Sequence, residues 1–339
     1  MTKPIHLDGT TLEGGSQLFR LSLSLSSLTG TAINITDVRG NRGNRSGQGG
    51  GIKPAHLAGA LWLAGATIAE TSGLELGGRN LVFSPSKTST TSQASKTTSR
   101  PVFNAEEFAK GKVNIAISTP GSVFLILQTI LPFLLFAGSN PSSNDSSPIK
   151  IILEGGTNVW HSLSYEYVEQ VYFPMLHRKL GFGPISMKLH KRGWSIGRPS
   201  IGKVEIDLTP LESGRTLPAF EYIDRGEIKT FNMSVFAFDP KLRTEVRNAA
   251  TQTLSKLFPE VGIEVVMEEC SDHPSRLYLL IVAESENGYR IGRDWLYDQK
   301  INKDKPMKTV DVLVSKVVRD IQQEIAHGGC VDEWLQDQL

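Results

Sequence analysis

Apolar positions along the chain recur at two spacings, and the switches between them mark out the elements. Leu18, Leu21, Leu25 and Leu28 sit at helical spacing. The interleaved serines also fit a strand, but Gly30 at the end favours a helix. Pro54 opens a second helix, predicted over 54–73 with Gly73 as its end. Val113, Ile115 and Ile117 alternate as a strand that leads into a helix over 121–137. A short strand over 151–153 and a helix over 165–180, closed by Gly181, follow. Beyond about 211 come a strand (229–238), an amphipathic helix (241–258) and strands over 262–269 and 276–285. Leu242, Val246, Ala250, Leu254 and Leu257 line one face of that helix. A last helix over 309–326 carries an apolar stripe of Val310, Val314, Val317, Ile321 and Ile325.

This order predicts an α+β protein, a layered α/β arrangement in which blocks of strands and helices recur. Residues 211–305 read as an inserted small α/β domain built on a βαββ unit, and 1–210 with 306–339 as the larger domain. Three polar stretches, 40–51, 84–100 and 138–148, lack the apolar residues needed to bury themselves and are expected to be exposed loops.

Composition adds three constraints. A formal charge of +1 gives no global attraction to nucleic acid, so any contact with it needs a local basic patch. Arg39, Arg42 and Arg45 supply one. Two cysteines, Cys270 and Cys330, make no disulfide framework and stand in no metal-ligand spacing, which fits a reducing, intracellular setting. The most apolar stretch, 123–137, is short for a membrane span and contains Gln128 and Pro132, so it reads as a buried helix.

Candidate chemistry gathers near the N-terminus. Glu13, Gln17, Arg20 and Ser24 share one helix face, where a carboxylate and a guanidinium can hold a nucleotide phosphate, a metal ion, or each other. Arg39 and Arg42 on a Gly-rich turn match the bidentate geometry of a phosphate. Gln128 sits within an apolar helix, where an unpaired amide costs about 1–3 kcal/mol, so a core partner or a ligand must satisfy it.

Several short motifs agree in order with one family. Asp8-Gly9-Thr10 and Glu13-Gly14-Gly15-Ser16-Gln17 with Arg20 come first, then Val38-Arg39-Gly40-Asn41-Arg42 and Pro54-Ala55-His56-Leu57-Ala58-Gly59. Gly121-Ser122 with Gln128, Gly155-Gly156-Thr157-Asn158 and Gly329-Cys330-Val331-Asp332-Glu333 with Leu335-Gln336-Asp337-Gln338-Leu339 complete the series. Together they resemble the RNA 3′-terminal phosphate cyclase family. The resemblance implies repeated units of two helices on a four-stranded sheet, with a small α/β domain inserted late and the last repeat cut short at Leu339. It further implies an ATP-dependent, AMP-forming enzyme of the ligase class that converts an RNA 3′-phosphate into a 2′,3′-cyclic phosphate through histidyl-AMP and RNA-adenylate, with Mg2+ or another divalent ion.

Carried over residue by residue, Glu13, Gln17, Arg20, Gln128, Trp334, Asp337 and Gln338 would bind the nucleotide, Glu13 would also hold the metal, and Arg39, Arg42 and His56 would face RNA phosphate. The implied partner is an RNA 3′-phosphate end rather than DNA or a membrane, and the implied location is the nucleus, with the cytoplasm as alternative. None of the seven histidines stands in the context of the family's nucleophile, which the resemblance places after Leu339, so residues 1–339 alone are expected to be inactive. Ser16, Ala55, Leu163 and Trp334 depart from the family pattern. A second reading is a non-catalytic, cyclase-like RNA-binding factor of ribosome biogenesis or RNA processing.

Overall fold

A computed structural model describes residues 3–12, 14–42, 50–86, 111–136, 148–212, 215–219, 221, 224–301 and 306–337. Most of each predicted polar loop (43–49, 87–100 and 138–147) lies outside these residues. The chain divides into two compact units, 1–155 with 201–216, and 156–200 with 217–339.

In the first unit, β1 (Ile5–Asp8), α1 (Gln17–Thr29), β2 (Ile33–Thr36), α2 (Pro54–Ala66), β3 (Glu70–Ser72) and β4 (Leu81–Ser84) form a sheet of order β1-β2-β4-β3. β1 runs parallel to β2, while β4 runs antiparallel to both β2 and β3. The pattern restarts with β5 (Lys112–Ala116), α3 (Val123–Phe136) and β6 (Ile149–Gly155). It closes, after the second unit's α4 (Tyr165–Tyr167, Val168–Tyr172 and Phe173–Leu180, continuous) and β7 (Ile185–Lys191), with β8 (Gly202–Leu208). β6 pairs parallel with β5 and antiparallel with β8. Along β6 and β8 alternate residues are buried, and the other face pairs Lys203 with Glu154 (2.9 Å) and Lys150 with Glu205 and Asp207. α3 is buried almost all round because both α1 and α2 pack on it.

Two expectations about this unit are corrected. α1 does form and ends at Gly30 in the left-handed region (φ 65°), but Leu21 and Leu25 are exposed. The buried face instead presents Phe19, Arg20 and Leu23 together with Ser24, Ser26 and Ser27, whose small side chains let α1 approach its neighbours. α2 ends at Ala66 rather than at Gly73, because Ile68 adopts a left-handed backbone (φ 48°) and the chain then turns into β3. Gly73 makes the turn from β3 to β4 at φ 75°, and a Cβ there would lie 1.9 Å from the Asn80 carbonyl oxygen. Gly73→Ala is therefore expected to destabilise the protein by about 2 kcal/mol or more. Chemical denaturation that shows a loss under about 0.5 kcal/mol would contradict this.

The second unit contains β9 (Ile228–Ala237), α5 (Pro240–Leu257), β10 (Gly262–Glu269), β11 (Leu277–Ser285), β12 (Arg290–Leu296), α6 (Pro306–His327) and α7 (Glu333–Gln336). Its sheet has the order β10-β9-β11-β12, with β9 and β10 parallel and the other pairs antiparallel. The sequence boundary at 305/306 separates α6 from this sheet, yet α6 buries Val310, Leu313, Val314, Val317, Val318 and Ile321 in the same core as α5. The apolar stripe needs a cover, and this sheet is what it covers. β12 was not anticipated, since Arg290, Arg293 and Asp294 break its apolar pattern.

α4 contains a π-helical turn, Val168–Tyr172. Pro174 has no N–H for the carbonyl of Gln170, and the Arg290 side chain takes that oxygen instead (2.9 Å). Among the described residues no helix is long and apolar enough to cross a membrane.

Candidate functional site

The predicted site residues divide between the two units. Gln17, Arg20, Arg39, Arg42, His56 and Gln128 belong to the first, and Trp334 and Asp337 to the second. Glu13 and Gln338 lie outside the described residues, so their predicted roles at the nucleotide and metal remain with the sequence.

Two interlocked loops frame the first group. After β1, the Asp8 carboxylate accepts from the backbone N–H and hydroxyl of Thr10 (2.8 and 2.7 Å), and these bonds hold its pKa below the usual carboxylate value. Asn41, on the loop after β2, donates to the carbonyls of Thr10 (2.8 Å) and Leu12 (3.3 Å). The approach is close enough that a Cβ on Gly9 would meet the Asp37 carbonyl oxygen at 2.4 Å. Between them Arg39 adopts φ 56°, a strained conformation for a side-chain-bearing residue. Gly40 N–H to Gly9 O and Val38 N–H to Arg79 O flank it, and its own guanidinium donates to Gly51 O (3.1 Å).

Arg39, Arg20 and His56 converge from this turn, α1 and α2. Arg20 is buried and donates to the Ser16 hydroxyl (2.6 Å). His56 is 3% exposed, packs beside Phe19, and leaves both ring nitrogens without a hydrogen-bond partner. Burial, then the positive charges of Arg39, Arg20 and Lys53, push its pKa down to about 3. The imidazole is thus neutral at physiological pH and able to donate or accept one hydrogen bond. Burial and the neighbouring Arg42 likewise lower the Arg39 pKa.

Gln128 lies on α3 with its side-chain oxygen buried and unbonded. Four residues on, Pro132 cannot donate to the Gln128 carbonyl, so helix α3 has a polar defect at this position. Gln17 opens α1 and Arg42 ends a short 3-10 turn on the surface.

In the second unit, Trp334 lies on α7, half buried, with the Arg293 guanidinium over its ring (4.7 Å) and the Tyr167 ring edge-on (5.5 Å). Asp337 follows at the exposed end of α7. Sequence reasoning missed a set of buried polar groups around these. The fully buried Glu166 binds Arg192 and accepts from the Asn158 amide (2.6 Å). Asp294 accepts from Ser164 (2.5 Å) and Tyr278 (2.7 Å). Asp332 accepts from Tyr167 (2.6 Å). The legible signals were acidic residues set in apolar or aromatic runs, such as Glu166 between Tyr165 and Tyr167.

In the first unit the His56 imidazole, near Arg39, Arg20 and Lys53, and the Gln128 amide oxygen are buried polar atoms with no hydrogen-bond partner among the described residues. For a metal, no group of three or more His, Cys, Asp or Glu side chains stands together among the described residues.

The family model described as RNA 3′-terminal phosphate cyclase matches residues 11–339. The RNA 3′-terminal phosphate cyclase of Pyrococcus abyssi is 28% identical over 336 residues, covering 99% of this chain and 84% of its own length. That of Koribacter versatilis is 30% identical over 224 residues, 66% of this chain and 52% of its own. A probable RNA 3′-terminal phosphate cyclase of Dictyostelium discoideum is 26% identical over 343 residues, 98% and 68% of the two chains. With the family model spanning nearly the whole sequence, the chain belongs to the RNA 3′-terminal phosphate cyclase family.

Proposed function

We propose that the protein acts as an ATP-dependent RNA 3′-phosphate cyclase, a ligase-class enzyme, with the Arg20, Arg39 and His56 cluster receiving a phosphate. The observation that carries the reading is the buried neutral imidazole whose two ring nitrogens have no hydrogen-bond partner among the described residues and which lies near Arg39, Arg20 and Lys53. The Arg39 guanidinium is held by its bond to the Gly51 carbonyl (3.1 Å), and its planar fork suits a phosphate. Gln128 is proposed to contribute to the nucleotide and Gln17 and Arg42 to border the phosphate region, and Trp334 on α7, Asp337 at its end and Gln338 are proposed as nucleotide residues too. Glu13 is the proposed metal ligand, and a divalent ion bound there would offset phosphate charge.

The overall route first transfers AMP from ATP to a histidine with loss of pyrophosphate, then to an oxygen of the RNA 3′-phosphate. The 2′-hydroxyl oxygen next attacks the 3′-phosphorus, AMP leaves, and the hydroxyl proton passes to solvent. In this scheme Arg20 and Arg39 stabilise the phosphoryl oxygens and His56 donates a hydrogen bond. A nuclear site of action belongs to the same proposal.

The test incubates the whole translated product with ATP, Mg2+ and an RNA carrying a labelled 3′-phosphate. Label should become resistant to phosphatase, and Arg39→Ala should slow this about a hundredfold. RNA ending in a 3′-phosphate should also bind more tightly than RNA ending in a 3′-hydroxyl, a preference that Arg39→Ala removes. No conversion, together with equal affinity for both ends, would overturn the proposal.

A further inference from the structure

We infer that Tyr167 is a positioning residue for the nucleotide, acting through Asp332 to hold α7 and so fix where Trp334 and Asp337 point. The inference rests on the proposed role of α7 at the nucleotide and adds the groups that make this short helix rigid.

A four-residue helix has too few internal hydrogen bonds to keep its own conformation. The structure anchors this one from outside. Asp332 is fully buried at the N-cap of α7, where its carboxylate accepts from Leu335 N–H (2.9 Å), Gly292 N–H on β12 (2.8 Å) and Tyr167 hydroxyl on α4 (2.6 Å). One carboxylate therefore ties three elements together. Gly292 makes the junction possible, because a Cβ there would meet Val171 at 2.8 Å and the Tyr167 ring at 3.0 Å. Tyr167 lies in none of the motifs matched to the family and touches the helix twice, through its hydroxyl and through its ring edge against Trp334. The opposite tether is Arg293, which binds Glu324 on α6 and Glu333 (2.9 Å) while covering the indole.

Tyr167→Phe separates positioning from folding. The ring and its contact with Trp334 remain, and each Asp332 oxygen keeps a backbone N–H, so the unit still folds. What is lost is the bond that fixes α7 against α4. ATP affinity of the full chain, titrated with ATP and Mg2+, should fall roughly tenfold, the effect of one hydrogen bond to a buried carboxylate. Asp337→Ala should weaken binding as well, and Tyr167→Phe should cost less in the Asp337→Ala background than alone, since part of its effect passes through Asp337. A merely structural role would give additive losses. Glu333→Gln, at an exposed carboxylate, provides a variant that cannot threaten the core, and a smaller loss of affinity is expected as Arg293 loses one tether.

If Asp337→Ala leaves ATP binding unchanged, the nucleotide reading of α7 fails and the inference goes with it. If Asp337→Ala weakens binding while Tyr167→Phe and Glu333→Gln do not, the nucleotide reading stands and the inference alone is overturned.

Discussion

Arg192→Met is expected to cost about 3–5 kcal/mol of stability, the largest loss among the polar substitutions considered. Glu166 is fully buried, and Arg192 is the cation that binds it, with the Asn158 amide on the other oxygen (2.6 Å). Arg192 also reaches the half-exposed Glu269 (3.0 Å) and lies over the Phe236 ring (4.2 Å), so methionine can keep the packing while losing the charge. The carboxylate would then be left in the interior with one neutral donor. Replacing both partners, as Glu166→Leu with Arg192→Met, should recover most of the loss, because no charge remains to be solvated. Urea denaturation of the two singles and the double decides the matter, and a single-variant loss below about 1 kcal/mol would refute the argument.

Asp294 gives the second large effect, and its signature is pH. Its carboxylate is partly buried, and burial raises its pKa from 3.8 to about 6. The Ser164 and Tyr278 hydroxyls and the Arg293 charge oppose that rise, and the Glu166 charge adds to it. The folded state thus holds this proton at pH values where the unfolded chain has lost it. Its contribution to stability is complete below about pH 3.8 and is lost as pH rises towards 6. The shift of roughly two units corresponds to about 3 kcal/mol. Asp294→Asn removes the titration, so its stability relative to the parent should grow across that window and then level off. Denaturation midpoints at several pH values test this, and a difference independent of pH would contradict it. Asn keeps an oxygen that can accept from a hydroxyl, so the site need not open.

His56 titrates with the opposite sign. With its folded pKa near 3, it favours the folded state least at low pH, and stability is lost as pH falls below the ordinary histidine value of 6.5.

Much of the fold was legible because local patterns determined it. The helix over 165–180 ends at Gly181 as expected, and the stripe on α5 is buried through Leu242, Val246, Ala250 and Leu254. The errors arose where tertiary packing overruled a local pattern. Leu21 and Leu25 gave α1 its helical period, but Phe19, Leu23, Ser24 and Ser27 took the inner face. Gly73 was an apparent helix end, but the left-handed Ile68 supplied a nearer one. β12 is buried despite its charges because Glu324, Ser164 and Tyr278 receive them.

Periodicity and motif spacing are local quantities, and they sufficed for the family, most helices, several strands and the candidates Arg20, Arg39, His56 and Gln128. The φ of 56° at Arg39, the neutral His56 beside Arg39 and Arg20, and the junction of Asp332 with Tyr167 and Gly292 arise only from packing. Charge state and hydrogen bonding depend on which groups meet after the chain closes, and Tyr167 and Asp332 stand 165 residues apart. No local pattern encodes such a contact, since the desolvation that makes it strong exists only in the folded interior.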